Sequence, residues 1–297
     1  MIHNTMQWQN RAKNKKLLSI FVAFAIISVT FLGISMARGA SIPTFVILVH
    51  GYSMSGTEGS DVWQSGINIY QQLVSKGYIV GEVAYYGNFK LTLSNGFSFV
   101  DNNFYGTSNT PIELISTELY YAIKSLYSKY GYINLDIVGH SMGGLIIAYM
   151  LENYKLPVNL KYVVYIASPF AGSPFASIAS YLGLSIILGN QVNEMKPGSS
   201  FLNYLKNNQY YLYANYPNTK YIVYAGNYDP WWGYVFFSGD NDGVVSVSSS
   251  ASIYFNYGYV FNDLHTSMLD SFTWSGISYF EDQNVANYLI YNLGGGE

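Results

Sequence analysis

Residue patterning points to an α/β fold, with a mostly parallel central sheet covered by helices on both faces and an N-terminal transmembrane or signal helix ahead of it. Three observations carry this expectation. Short β-branched runs alternate with helix-patterned stretches along residues 41–297. A Gly-His-Ser-Met-Gly sequence at residues 139–143 joins one such strand to one such helix. An uncharged apolar run from Leu17 to Met36 precedes the first strand.

The N-terminal run follows Arg11, Lys13, Lys15 and Lys16 and is followed by Ala37-Arg38-Gly39-Ala40-Ser41. It is long enough to span a bilayer. Being apolar all round, it suits a core helix poorly. A cleaved signal peptide has an apolar core of about 7–15 residues, and Ser35-Met36-Ala37 would permit cleavage. The run is longer than that, which favours a retained anchor. Either way the basic flank stays inside and the rest faces out, membrane-anchored or secreted. Residues 1–40 are therefore read as basic flank and anchor or signal peptide, with membrane contact through residues 17–36. Residues 41–297 are read as one domain.

Strands are expected near 44–49, 78–86, 133–138, 161–167, 220–225 and 257–261, with another near 244–247. Helices are expected near 61–75, 111–130, 142–154 and 283–292. Two stretches break the alternation. Residues 87–109, rich in Gly, Asn, Ser and Phe, read as a loop. Residues 173–219 read as a long insertion holding the apolar run Leu182-Gly183-Leu184-Ser185-Ile186-Ile187-Leu188.

The Gly-His-Ser-Met-Gly turn has the context of a nucleophile elbow. Ile133-Asn134-Leu135-Asp136-Ile137-Val138 forms the strand before it, and Leu145, Ile146, Tyr149 and Met150 give the following helix its apolar face. Glycines at 139 and 143 remove side chains that would collide in so sharp a turn. Ser141 is the candidate nucleophile, set before a helix whose first N–H groups face a developing negative charge. About 90 residues earlier, the run Phe45–Val49 ends in His50-Gly51. An oxyanion needs two aimed backbone donors, and Tyr52 and Met142 are placed to supply them. The side chain of His50 reads as a structural histidine. Gly239-Asp240-Asn241-Asp242-Gly243-Val244-Val245 offers an acid in a Gly-flanked turn, which by itself is also what an ordinary Asx-rich loop looks like. The chain has four histidines and no cysteine. His3 lies ahead of the apolar run, and His50 and His140 belong to the two turns. His265 is left as the general base, in the order Ser, Asp, His.

These segments together resemble the α/β-hydrolase fold, and within it the microbial serine lipases and esterases. Val49-His50-Gly51-Tyr52 resembles the oxyanion loop, and Gly139 to Gly144 the lipase elbow. Thr110-Pro111-Ile112-Glu113-Leu114 resembles the helix start before the nucleophile strand. Tyr165-Ile166-Ala167-Ser168-Pro169-Phe170-Ala171-Gly172-Ser173 resembles a G-T-P-H-x-G-S segment, with Ser168 and Phe170 where Thr and His are frequent. Met195-Lys196-Pro197-Gly198-Ser199 resembles a stretch before the later strands, and Asn241 to Val245 the acid loop. The match runs over roughly residues 44–292. It implies ester hydrolysis by Ser141, Asp242 and His265, with Tyr52 and Met142 as the oxyanion hole and no cofactor or metal. Thr266-Ser267 follow His265 where the calcium-dependent branch has Leu-Asp, so no calcium site is carried over. In such a fold the 173–219 insertion serves as a lid or acyl-binding wall, or else as a packed accessory helix. A thioesterase, amidase or acyltransferase would use the same triad, and an idle surface-binding homologue would lack one of its members.

Composition fits this reading. The 297 residues suit a single α/β domain, and 50% of them are hydrophobic. Charged residues are only 10%, against a typical value of about 25%. Tyr, Asn, Ser and Gly must cover the surface instead, which suits life outside the cytoplasm. No basic stripe marks a nucleic-acid partner. Without cysteine, disulfides and thiolate metal sites are ruled out. The expected partner is a lipid or small ester substrate, taken by a monomer.

Overall fold

A computed structural model describes residues 43–53, 60–181, 188–230, 237, 239–265 and 277–294. The strands are β1 (Thr44–Val49), β2 (Ile79–Ala84), β3 (Gly87–Leu93), β4 (Ser98–Gly106), β5 (Asn134–His140), β6 (Asn159–Ile166), β7 (Lys220–Gly226) and β8 (Tyr257–Phe261). The helices are α1 (Ile69–Ser75), α2 (Ile112–Tyr130), α3 (Met142–Asn153), α4 (Pro174–Tyr181), α5 (Asn190–Glu194), α6 (Ser200–Asn208), α7 (Tyr210–Asn215), α8 (Val247–Ser250) and α9 (Gln283–Leu293).

Among the described residues the strands form one sheet in the order β4-β3-β2-β1-β5-β6-β7-β8. Pairing is parallel from β2 through β8 and antiparallel at β2–β3 and β3–β4. β1 lies between β2 and β5, so its apolar run is covered on both faces. Successive strand side chains point to opposite faces. Phe45, Ile47 and Val49 accordingly join one core with Ile115, Leu119 and Ile123 of α2 and Leu145 and Ile146 of α3. Val46 and Leu48 join the other core with Leu73 of α1 and Val285, Ala286, Leu289 and Leu293 of α9. This is the mostly parallel, doubly covered sheet expected from the alternation of runs.

Three local expectations are corrected. Residues 87–109 are not a loop. β3 and β4 pair antiparallel across a turn containing Asn95 and Gly96. Phe89, Leu91 and Leu93 are buried while Asn88, Lys90 and Thr92 are exposed, the alternation of a half-buried strand. The predicted helix 61–75 is broken into a 3-10 turn, Ser60–Gln64, and α1. Gly66 turns left-handed (φ 53°), and a Cβ there would lie 2.1 Å from the Phe280 carbonyl oxygen. Asn68 then caps α1 by accepting from the Gln71 N–H. Residues 244–247 are not a strand, because the Asp242 carboxylate takes the Val244 and Val245 N–H groups that a ladder would need.

In the insertion, α6 and α7 are packed accessory helices. Phe201, Leu202, Leu205 and Leu212 are buried in the same core as α3, and Tyr149 of α3 stacks on Phe201. Residues 182–187 of the apolar run lie outside the described residues, and so do residues 1–42 with the anchor or signal segment. Among the described residues no helix is long and apolar enough to cross a membrane.

Candidate active site

β5 ends at His140, α3 begins at Met142, and Ser141 makes the turn between them with φ 52° and ψ −124°. That is a strained backbone for a residue with a side chain. The surrounding structure holds it in place. Ser141 N–H donates to the Ile166 carbonyl at 2.8 Å, and the Ser141 carbonyl accepts from Gly144 N–H at 3.0 Å. A Cβ on Gly143 would lie 2.3 Å from the Val49 carbonyl oxygen, so glycine alone lets α3 start this close to β1.

His265 Nε2 lies 2.9 Å from Ser141 Oγ, and His265 Nδ1 lies 2.9 Å from Asp242 Oδ2. All three residues are buried. The network assigns the tautomer: a carboxylate can only accept, so Nδ1 carries the proton and Nε2 is left to accept from the Ser141 hydroxyl. Asp242 itself is saturated. Its Oδ1 accepts from Val244 N–H at 3.0 Å and Val245 N–H at 2.7 Å, and its Oδ2 also accepts from the Tyr279 hydroxyl at 3.2 Å. The two partners are joined through the backbone too, by His265 N–H donating to the Asp242 carbonyl at 3.0 Å. Asp229 organises the loop, accepting from the backbone and side chain of Asn241 at 2.7 and 3.0 Å, while Asp240 is exposed.

The other described histidines serve differently. Burial, and then the nearby His265, push His140 well below the ordinary histidine range, and it stays neutral with Nε2 3.2 Å from the His265 carbonyl. Burial lowers His50 to about 4. Its Nδ1–H donates to the Gly51 carbonyl at 2.7 Å, and its ring stacks on Tyr85 at 3.9 Å. Asp263 is raised to about 8, first by burial and then by Asp282, to which its carboxyl is hydrogen-bonded. It belongs with the N-terminal cap of α9 rather than with His265.

Residues 50–52 leave β1 and pass directly beside the serine. A Cβ on Gly51 would lie 2.8 Å from Ser141 Cβ. Gly51, the residue before Tyr52, and Met142, the residue after Ser141, therefore bring two elements to the serine. Met142 opens α3, where first-turn N–H groups have no intrahelical acceptor. The structure thus brings Ser141, His265 and Asp242 into one hydrogen-bonded line, with Gly51 packed against its serine end and Met142 opening the helix that follows it. Such a line can deprotonate a hydroxyl as it attacks a carbonyl carbon and stabilise the resulting oxyanion. Tyr279 was not visible from the sequence. It is one of 31 tyrosines, and only the fold carries it to Asp242.

The family model described as "Alpha/beta hydrolase of unknown function (DUF915)" matches residues 36–293. No curated protein matches the sequence. Among solved structures the chain is similar to the lipase BlEst2 of Bacillus licheniformis in its mature form, with a TM-score of 0.53 and 18% identity over 86% of this chain and 93% of that one. The propeptide form of the same lipase gives a TM-score of 0.55 and 18% identity over 86% of this chain. The phospholipase PlaB of Legionella pneumophila gives 0.56 and 17% identity over 84% of this chain. The chain spans 50% of the BlEst2 propeptide form and 60% of PlaB. At such identities these likenesses establish a shared fold.

Proposed function

Because the chain belongs to the α/β-hydrolase family DUF915, with the family match covering residues 36–293, we propose that it is a serine hydrolase cleaving carboxylic esters, lipid esters foremost. The observation that carries this reading is the pair of 2.9 Å hydrogen bonds from Ser141 through His265 to Asp242. In this mechanism Ser141 Oγ attacks the acyl carbon while His265 Nε2 takes its proton. The Tyr52 and Met142 N–H groups hold the oxyanion. Asp242 Oδ2, accepting from Nδ1–H, orients and stabilises the imidazolium. As the tetrahedral intermediate collapses, His265 returns the proton to the leaving alcohol, and an acyl-Ser141 ester remains. Water, deprotonated by His265, then releases the carboxylic acid and regenerates Ser141. No cofactor enters these steps. The lipid part of the proposal draws on the lipase and phospholipase whose folds are similar. We further propose that residues 17–36 hold the enzyme at a membrane with its catalytic domain outside.

One experiment addresses both. Full-length chain is treated with a fluorophosphonate probe, extracted with alkaline carbonate and separated into membrane and soluble fractions. The expected result is a labelled band in the membrane pellet, absent in Ser141→Ala, whose turnover on p-nitrophenyl esters falls by several orders of magnitude. Unchanged labelling of Ser141→Ala would reject the nucleophile. A labelled soluble form beginning near residue 38 or 40 would replace the anchor by a cleaved signal.

A further inference from the structure

The segment that runs past Ser141 is a loop, yet an oxyanion donor must be held to within about 0.5 Å. What holds it is a set of buried side chains outside the triad. Tyr85 and Tyr86 follow β2 and are adjacent in sequence. The Tyr85 hydroxyl lies 2.7 Å from both the His50 and Gly51 carbonyls, and its single proton is shared between them. The Tyr86 hydroxyl accepts from Ser53 N–H at 3.0 Å and donates to Gln191 Oε1 at 2.9 Å. Gln191 is fully buried in the first turn of α5, within the 173–219 insertion. Its Nε2 donates to the Thr107 and Thr110 carbonyls, both at 3.0 Å.

The direction of this chain is not adjustable. Carbonyls only accept, so the amide nitrogen of Gln191 must face Thr107 and Thr110. Its oxygen must then face Tyr86. The one phenol proton goes to that oxygen, which turns the lone pairs of Tyr86 toward Ser53 N–H. The insertion touches the loop a second time, where the Tyr52 hydroxyl donates to the Leu188 carbonyl. Tyr52 and Ser53 are thus pinned from both sides by residues 188–191.

We propose that Tyr86 and Gln191 are positioning residues of the oxyanion hole, through which the insertion sets the placement of the Tyr52 N–H. This rests on the ester-hydrolase reading above. Removing the Tyr86 hydroxyl takes away the acceptor of the Ser53 N–H and loosens the loop, without touching Ser141, His265 or Asp242. The loss falls on the transition state, because the misplaced donor is needed only when the oxyanion forms.

The test uses full-length Tyr86→Phe, Gln191→Leu and the double variant. Each is assayed for kcat and KM on p-nitrophenyl butyrate, and for affinity toward a trifluoromethyl ketone whose serine adduct carries the oxyanion. Tyr86→Phe should lower kcat by about 10- to 100-fold. KM should stay within about twofold, and ketone affinity should fall in parallel with kcat. The double variant should be no worse than the poorer single one, since both break one chain. If Gln191→Leu does not fold, Tyr86→Phe, which deletes a single oxygen, carries the test alone. Wild-type kcat in a folded Tyr86→Phe overturns the proposal, and so does a kcat loss with unchanged ketone affinity. A wild-type chain that neither labels nor turns over defeats the hydrolase reading itself, and this proposal with it. An active, labelled wild type with an indifferent Tyr86→Phe defeats this proposal alone.

Discussion

Asp240 and Asp242 stand two residues apart, and their surroundings separate them. Asp240 is exposed, whereas Asp242 is 1% exposed and its carboxylate meets four donors. Asp242→Asn would keep Oδ1 on the Val244 and Val245 N–H groups and turn its NH₂ toward His265. Nδ1 would then have to accept, and the proton would move to Nε2, where it blocks the Ser141 hydroxyl. A loss of about a hundredfold or more in kcat is expected, because that tautomer cannot act as base. Asp240→Asn should leave kcat within about twofold. Steady-state kinetics on a short-chain ester decides, and the reverse ranking would reject Asp242 as the partner of His265. At this scale the sequence was informative where a residue type is rare or a motif local. Ser141 stood in a strand-turn-helix context, and His265 remained after the other histidines were placed. Tyr279, Tyr86 and Gln191 had no such mark. Their partners lie 37, 33 and 84 or 81 positions away, and nothing short-range encodes those meetings.

Elements were legible in proportion to how strongly a local pattern met one environment. β1 and β8 occupy the residues that their apolar or β-branched runs indicated, and α2, α3 and α9 start and stop within about two residues of their patterns. The β3–β4 hairpin was hidden by its Asn and Gly content, although Phe89, Leu91 and Leu93 alternate as a strand should. The break before α1 was illegible for another reason. Gly66 must turn left-handed because Phe280, more than 200 positions away, sits against it. The turn also lets Ile67 N–H donate to the Phe280 carbonyl at 2.9 Å. Gly66→Ala should therefore destabilise the fold by more than about 1 kcal/mol, from the positive φ and the clash together. The same segment carries Tyr279 to Asp242, and Phe280 packs edge-on against His140 at 4.9 Å. Urea denaturation and kcat measured on one preparation should show stability and turnover falling together. A variant as stable as wild type would mean that the 65–67 turn is more yielding than its close contact with Phe280 implies.

At the scale of the whole molecule, the scarcity of charge leaves several carboxyl groups among the described residues buried without an ion-paired cation. Glu152 of α3 has no hydrogen-bond partner on either carboxyl oxygen among the described residues, and burial raises it to about 9. Asp263 is raised to about 8, and Asp136 to about 7 despite Lys161 nearby. All three shifts have the same sign. Each folded-state group keeps its proton above the pH at which the unfolded chain releases it. For Glu152 the stabilising contribution is complete below its ordinary value of 4.5 and is lost progressively as pH rises toward about 9. Each unit of that separation is worth about 1.4 kcal/mol, so this one group can remove several kcal/mol across the window. The melting temperature of the wild-type chain should therefore fall from pH 5 to pH 9. Glu152→Gln keeps the shape and the unpaired polar atoms of the neutral acid but cannot ionise in either state. Its melting temperature should lie close to wild type at pH 5 and above it at pH 9, with a shallower slope between. Parallel curves for the two proteins would show that Glu152 finds a partner for its charge, and that the alkaline loss belongs to Asp263 and Asp136.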